Sequence, residues 1–357
     1  KLSFLIYSYF PYGGQQRDFL RIANECIQRG HEVDVYAIRW QGDIPEKLNL
    51  IKVPVKGRTR VQLYKRYTAW VENALKDTAN SAVVGFNKMP LLDIYFAADP
   101  CFVEKAHTQR RFYYKFSSRY RHFRSYEDAV FGQNSSTQAL ILSLQQRESF
   151  EEHYPGCGNR LHELPPGISL DRKVDQRDQS EREKFRTEFR VGDDELLLLQ
   201  VGSGFKVKGV DRSLQALASL PEQLRSRTKF MLVGQDKSAG VDSLAKRLGL
   251  AEQLSIFPGR DDIPRFFAGA DLLIHPAYVE SAGYVLLEAT IAGLPVLTTA
   301  TCGYSFHIEQ AQSGRVCSNP FQQSELNQNL AMMLELLAYE SWSTNGLDYG
   351  KQADLFS

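Results

Sequence analysis

Cysteine is scarce in this 357-residue chain: Cys26, Cys101, Cys157, Cys302 and Cys317 are scattered, odd in number and form no C-x-x-C pair. Neither a disulfide framework nor a cysteine-built zinc site follows, and a reducing, cytoplasmic setting fits best. Net charge is nearly absent too, with 43 Lys and Arg against 42 Asp and Glu, so any electrostatic signal must be local. No apolar run is long enough to span a bilayer. "LSFLIYSYF" (2–10) stops at Pro11 and reads as a buried strand, not a signal peptide. Three nucleotide motifs are missing as well. G-x-G-x-x-G does not occur, so the dinucleotide fingerprint is excluded. Gly204 and Gly209 imitate a Walker A loop, but Val210 and Asp211 stand where Lys and Ser/Thr belong, which disfavours ATP hydrolysis. No D-x-D follows an apolar strand, so a metal-held diphosphate lacks its usual carboxylates.

What is present is a repeated β/α rhythm. Residues 2–10, "HEVDVYAI" (31–38), "LIKVPV" (50–55), "AVVGFN" (82–87), "LDIYFAA" (92–98) and "ALILSL" (139–144) read as strands, with a helix over 15–29. "LHELPPGI" (161–168) breaks the pattern with two prolines and a glycine. It restarts at "ELLLLQVG" (195–202), "KFMLVGQD" (229–236), "QLSIFPG" (253–259), "DLLIHPA" (271–277) and "PVLTTA" (295–300). The polar stretch 171–188 reads as loop and solvated helix. Near-continuous apolar strands are parallel strands covered on both faces. The fold class is therefore α/β, with two doubly wound, Rossmann-like domains facing across a cleft, and ligands outside the strands' carboxyl ends.

The strand-end loops hold the candidate chemistry. "YFPYGGQQRDF" puts Gly13 and Gly14 before a helix, either as a tight turn or as bare amides facing an anion. Asp18 is expected in that helix's first turn. "VGSGFKVKGVDRS" sets Lys206 and Lys208 on a glycine-rich turn, which suits a diphosphate without a metal. Arg172 and Lys173, past the junction, either reach the same phosphates or are solvated linker charges. In "HPAYVESAGYVLLEATIAG" (275–293), Glu280 falls in a strand-end loop and Glu288 about two turns into a helix. Ionised carboxylates only accept hydrogen bonds, so the pair suits the hydroxyls of two sugars on one ligand; a loop carboxylate and a helix ion pair is the plainer alternative.

"HPAYVESAGYVLLEATIAGLPVLTT" carries the E-x₇-E arrangement of retaining glycosyltransferases. With "YFPYGGQQRDF", "VVGFNKMPLLDIYFAADPC", "SSRYRH", "LPPGI" and "QVGS…KGVDRS…ALASLPE", nearly the whole chain resembles the bacterial lipopolysaccharide core glucosyltransferase I family, of the GT-B fold and glycosyltransferase family 4. The resemblance implies an acceptor-binding domain over 1–165 and a nucleotide-sugar domain over 166–340. A segment at 341–357 is expected to return toward the first in truncated form. It further implies transfer of glucose from UDP-glucose to a heptose of the inner core, α-1,3, with retention and without metal or other cofactor. Glu280 matches the sugar-side glutamate and Glu288 the ribose-side one. Lys208 and Arg172 match diphosphate-binding cations, and Gly13–Gly14 the loop beneath the phosphates. Ala282, Gly283 and Tyr284 match backbone donors to the donor sugar. Asp18 and Asp99 match acidic residues of the first domain, one of them orienting the acceptor hydroxyl. The family pattern has Arg-Lys where this chain has Val207-Lys208, and A-A-G-I where it has Ser281-Ala282-Gly283-Tyr284. A neutral Val207 leaves room for an acetamido group, so UDP-N-acetylhexosamine or another lipid-linked acceptor is an alternative. A non-catalytic nucleotide-sugar or anionic-lipid binder is a second.

One segment is electrically unlike the rest. From Lys105 through Arg110, Arg111, Lys115, Arg119 and Arg121 to Arg124 there is no acid, and Phe112, Tyr113, Tyr114, Phe116, Tyr120 and Phe123 are interleaved. Such a segment suits an anionic bilayer, here the inner face of the inner membrane, or the charged core of the acceptor. Nothing else resembles a nucleic-acid module.

Overall fold

Apolar runs such as "LLLLQV" and "LLIH" can be covered on both faces only inside a layered α/β unit. The computed structural model describes residues 1–11, 13–76, 82–169, 172, 174, 176–337 and 341–356, with Gln109 described by its backbone alone; Lys173 lies outside the described residues. The chain divides into two compact units, Lys1–Leu164 and Pro165–Ser357.

The first unit holds seven parallel strands: β1 (Leu2–Tyr9), β2 (Val33–Trp40), β3 (Leu48–Lys52), β4 (Ala82–Gly85), β5 (Ile94–Phe96), β6 (Gln138–Ile141) and β7 (Leu161–Glu163), in the order β3-β2-β1-β4-β5-β6-β7. In the second are β8 (Leu196–Val201), β9 (Thr228–Val233), β10 (Leu254–Phe257), β11 (Leu272–His275), β12 (Val296–Thr299) and β13 (Gly314–Cys317), ordered β10-β9-β8-β11-β12-β13. Both orders reverse once, between β1 and β4 and between β8 and β11. Loops leaving the carboxyl ends at those reversals are where such sheets bind ligands.

Side-chain alternation explains the double covering. Leu198, Phe230, Leu272, Ile274 and Leu297 pack on one face of the second sheet, while Leu197, Leu199, Met231, Leu273 and Val296 pack on the other. Two strands escaped the reading of the sequence. "LHE" extends the first sheet by pairing with β6 before the prolines end it, and "GRVC", too polar to announce itself, pairs with β12. The helix Gln179–Glu188 is not merely solvated either, because Phe185 and Arg186 are buried. The terminal segment 341–357 falls in the second unit, where the backbone of Gly346 closes on Thr290 and Gly350 on Ile291.

In each unit a carboxylate ties separate elements together. Asp271, at the entry to β11, accepts from Arg182 at 2.5 Å, from Arg186 at 3.2 Å and from the amide of Leu197 at 2.7 Å. In the first unit Glu127 is fully buried. It takes Lys88 Nζ at 2.5 Å, the amides of Phe102 and Val103 at 2.7 and 2.9 Å and the Tyr154 hydroxyl at 2.9 Å. It thereby satisfies the bare start of the helix Phe102–Gln109 from another helix, Ser118–Phe131. Removing a buried partner strands the charges it held. Asp271→Ala is accordingly expected to destabilise the second unit by about 3 kcal/mol. A urea midpoint equal to wild type would show that the pairing contributes nothing.

Candidate active site

At the switch point of the second unit the loop after β8 is fixed before any ligand arrives. Gly209 has φ +71°, and a β-carbon there would collide with the Pro276 carbonyl, so only glycine lets the two strand-end loops approach. Gln200, fully buried on β8, donates to the Lys208 carbonyl at 2.7 Å and accepts from Ser213 at 2.8 Å. From the neighbouring loop, the Tyr278 amide donates to the Val207 carbonyl at 2.8 Å. Lys208 is thus held by its backbone, and its alkyl chain lies over Gly202.

The Lys208 ammonium meets Glu280 in an ion pair; the two side chains are 21% and 18% exposed. Burial brings the Lys208 pKa down to about 8. His275, the last residue of β11, is completely buried, and its Nε2 lies 3.4 Å from the same Glu280 oxygen. Desolvation, and then the charge of Lys208, hold His275 well below the ordinary imidazole range, so the ring is neutral at pH 7. A carboxylate can only accept, which makes Nε2 the protonated nitrogen of this contact. Glu280 is also pinned by backbone: its amide donates to Thr301 at 3.2 Å and its carbonyl accepts from Gly303 at 2.9 Å.

Beyond Glu280 the chain turns into the helix Tyr284–Ile291. Gly283 caps it at φ +103° and supplies no side-chain cap of its own, and the start of a helix is where an anion is favoured. Ser281 and Ala282 are buried, and Tyr284 is half-buried edge-on to Tyr304 at 5.4 Å. Glu288 lines a separate cavity of about 320 Å³ together with Arg172, Arg177 and Arg265. The expected residues therefore fall into two charged groups, Lys208 with Glu280 and Arg172 with Glu288. The buried Gln200 and His275 belong to the first, yet sequence reasoning passed over both. The only signal was a polar residue inside an otherwise apolar strand.

In the first unit the helix Gly14–Gln28 starts directly after Gly13, again without a side-chain cap, and a β-carbon on Gly14 would touch nothing. Gln15 donates to the Phe86 carbonyl and Gln16 to that of Ser8, which ties this start to the strand ends. Asp18 needs correction. The helix begins at Gly14, so Asp18 opens the second turn, where it is buried with Arg21 at 3.5 Å. Asp99, in contrast, is exposed and lines a cavity of about 420 Å³ with Lys88, Lys105, Arg110 and Arg119. Of the other basic residues, Arg111, Arg121 and Arg124 are exposed and Lys115 is half-buried. Among the described residues no three His, Cys, Asp or Glu side chains gather as metal ligands.

Comparison with known proteins follows the same division. Residues 12–172 match the model of Glycosyltransferase Family 4, and residues 181–347 that of Glycosyl transferases group 1. Lipopolysaccharide glucosyltransferase WaaG of Escherichia coli K12 is 47% identical over 357 residues, covering 100% of this chain and 96% of that protein. A D-inositol 3-phosphate glycosyltransferase of Streptomyces coelicolor is 28% identical over 51% of this chain and 44% of its own length. Among solved structures, the crystal structure of WaaG superposes with a TM-score of 0.95 at 47% identity, covering 100% and 97% of the two chains. Anabaena HepE, solved with UDP-glucose, shares the fold alone, with a TM-score of 0.75 at 17% identity over 98% and 94%. Two parallel α/β units with these strand orders, matched over their full length, place the chain in the WaaG family of lipopolysaccharide glycosyltransferases, with the GT-B fold.

Proposed function

We propose that the protein transfers glucose from UDP-glucose to a heptose of the lipopolysaccharide inner core, forming an α-1,3 linkage with retention and without a metal. The observation that carries this reading is the desolvated Lys208–Glu280 pair at the carboxyl ends of β8 and β11, under a glycine turn. Lys208 and the amides around Gly283 take the diphosphate, Glu280 accepts from donor-sugar hydroxyls, and Glu288 accepts from the ribose with Arg172 beside it. The bond from the anomeric carbon to the phosphate oxygen breaks while the acceptor oxygen bonds to that carbon on the same face. The acceptor proton goes to the departing phosphate oxygen. Donors placed in advance stabilise the charge that develops there. Asp99 is the better candidate to orient the acceptor hydroxyl, because Asp18 is buried against Arg21.

Glu280→Gln is expected to keep UDP affinity, since it frees Lys208, and to slow transfer about a hundredfold. Assay with a panel of UDP-sugars and heptose-terminated lipopolysaccharide tests role and donor together. The panel includes UDP-N-acetylglucosamine because Val207, 41% exposed beside Lys208, fills the position of a family arginine. Turnover of only the acetamido donor would reassign the substrate, and binding of UDP-sugar with no turnover would make the protein a binder.

The Lys208 proton gives a pH signature. Its pKa of about 8 means that the ammonium is lost as pH rises through that value, so the donor KM should climb toward about tenfold per unit above pH 8. Lys208→Arg keeps its charge at all these pH values and should remove that limb; a limb unchanged in the variant would assign the titration elsewhere.

No described helix is long and apolar enough to cross a membrane. Residues Phe112–Phe116 form a short 3₁₀ turn in which Phe112, Tyr113 and Phe116 are 74%, 65% and 70% exposed. Rings so exposed, with Arg111 and Lys115 adjoining, suit peripheral attachment to the anionic inner face of the inner membrane. In liposome flotation, recovery should depend on anionic lipid; equal recovery with neutral liposomes would remove the electrostatic reading.

A further inference from the structure

The acid-free stretch from Lys105 to Arg124 has a counterpart in the sequence. Between Glu46 and Glu72 there is again no Asp or Glu, while seven Lys or Arg residues occur, Arg60 among them. The fold brings the two stretches together. The 420 Å³ cavity that holds Asp99 is lined by Arg60 and Tyr64 from one stretch and by Lys105, Arg110, Arg119 and Phe123 from the other. Lys88, which follows β4, and Asp99, which follows β5, complete the wall at carboxyl ends of strands, where ligands of such sheets sit.

The cavity's charge is lopsided. Lys88 is neutralised by Glu127, and Asp99 is the only carboxylate among the described residues of the lining. Arg60, Lys105, Arg110 and Arg119 have no ion-pair partner among the described residues. Aromatic rings fill the space between the charges. Tyr7 and Tyr64 stack at 3.8 Å, and Phe123 meets Phe102 at 5.5 Å. The volume falls within the range of small-ligand sites. Four uncompensated cations of like sign confined in one cavity repel one another, and an oxyanion relieves that repulsion while guanidinium groups can hold it bidentately. A flat bilayer would not enter such a concavity. The exposed rings of Phe112, Tyr113 and Phe116 are outside its lining, so the basic segment is divided between an outward aromatic turn and an inward cationic wall.

We infer that this cavity is a subsite for an anionic sugar group of the acceptor, a carboxylate or phosphate carried on the saccharide, with Arg60 and Lys105 as specificity-determining residues. The inference rests on the transfer reading for calling the ligand an acceptor. Asp99 then accepts from a hydroxyl of the same saccharide.

Deacylated heptose-containing core oligosaccharide is the probe, used intact, after phosphate removal, and after carboxyl reduction, with affinities measured by calorimetry on the full chain. Binding is read without donor, so its outcome is separate from that of the transfer assay. The treatment that weakens wild-type binding about tenfold identifies which group the cavity takes. Arg60→Gln and Lys105→Gln should each weaken the intact probe by a similar factor and bind the intact and treated forms alike, while Arg60→Lys retains part of the preference. Arg60 is exposed, so its replacement does not threaten folding. Equal affinity of the wild type for all three forms would overturn the inference. So would variants that discriminate as the wild type does but lose binding to phosphatidylglycerol vesicles, which would make the cavity a bilayer contact.

Discussion

The second unit is organised around one constraint, the need to keep an ammonium and a carboxylate together where water is nearly excluded. Taking two charges out of water costs more than their attraction returns unless the geometry is fixed and the remaining polar atoms are satisfied. The fold meets that condition from both sides. Gln200 and Gly209 hold the backbone that carries Lys208, and the bridge to Cys302 holds the one that carries Glu280. A neutral His275 adds a donor beneath the carboxylate without adding charge. The consequence is an ammonium whose proton is already loosened, in a place where an incoming diphosphate would restore it.

Much of the fold was legible because parallel strands covered on both faces are nearly pure hydrocarbon. β1, β2, β8, β9 and β11 each announce themselves as apolar runs ended by glycine, proline or a polar turn. The short edge strands do not. β7 has only Leu161 buried and β13 only Cys317, and their pairing comes from neighbours already in place. Register and strand order also depend on contacts far apart in sequence, so the reversals between β1 and β4 and between β8 and β11 followed from the fold class and not from any local residue.

The site was legible to the extent that glycines and charges cluster in strand-end loops. Glu280, Lys208, Gly283 and Glu288 could be placed on loops and helices from spacing. What spacing could not give was partnership. Lys208 and Arg172 were grouped as two cations for one diphosphate, whereas they lie with different carboxylates. Asp18 slipped from the first turn to the second by a single residue because helix starts are set by capping, and Gly13 provides no side chain to mark the cap. His275 and Gln200 are invisible in a linear reading because a polar residue inside a strand looks the same whether it is a ligand, a support or an exception.

The first unit repeats the second's logic with the opposite outcome for its cations. Lys88 is neutralised by a fully buried Glu127, which also accepts two helix-start amides and a tyrosine hydroxyl, so its charge is consumed by the scaffold. Arg60, Lys105, Arg110 and Arg119 surround the same cavity without such compensation. A near-neutral chain with two long acid-free stretches must place its acids elsewhere, and the fold then gathers those stretches instead of dispersing them. Folding stability gives no reason for that arrangement, since like charges brought together raise the free energy of the compact state. A ligand that carries negative charge supplies one.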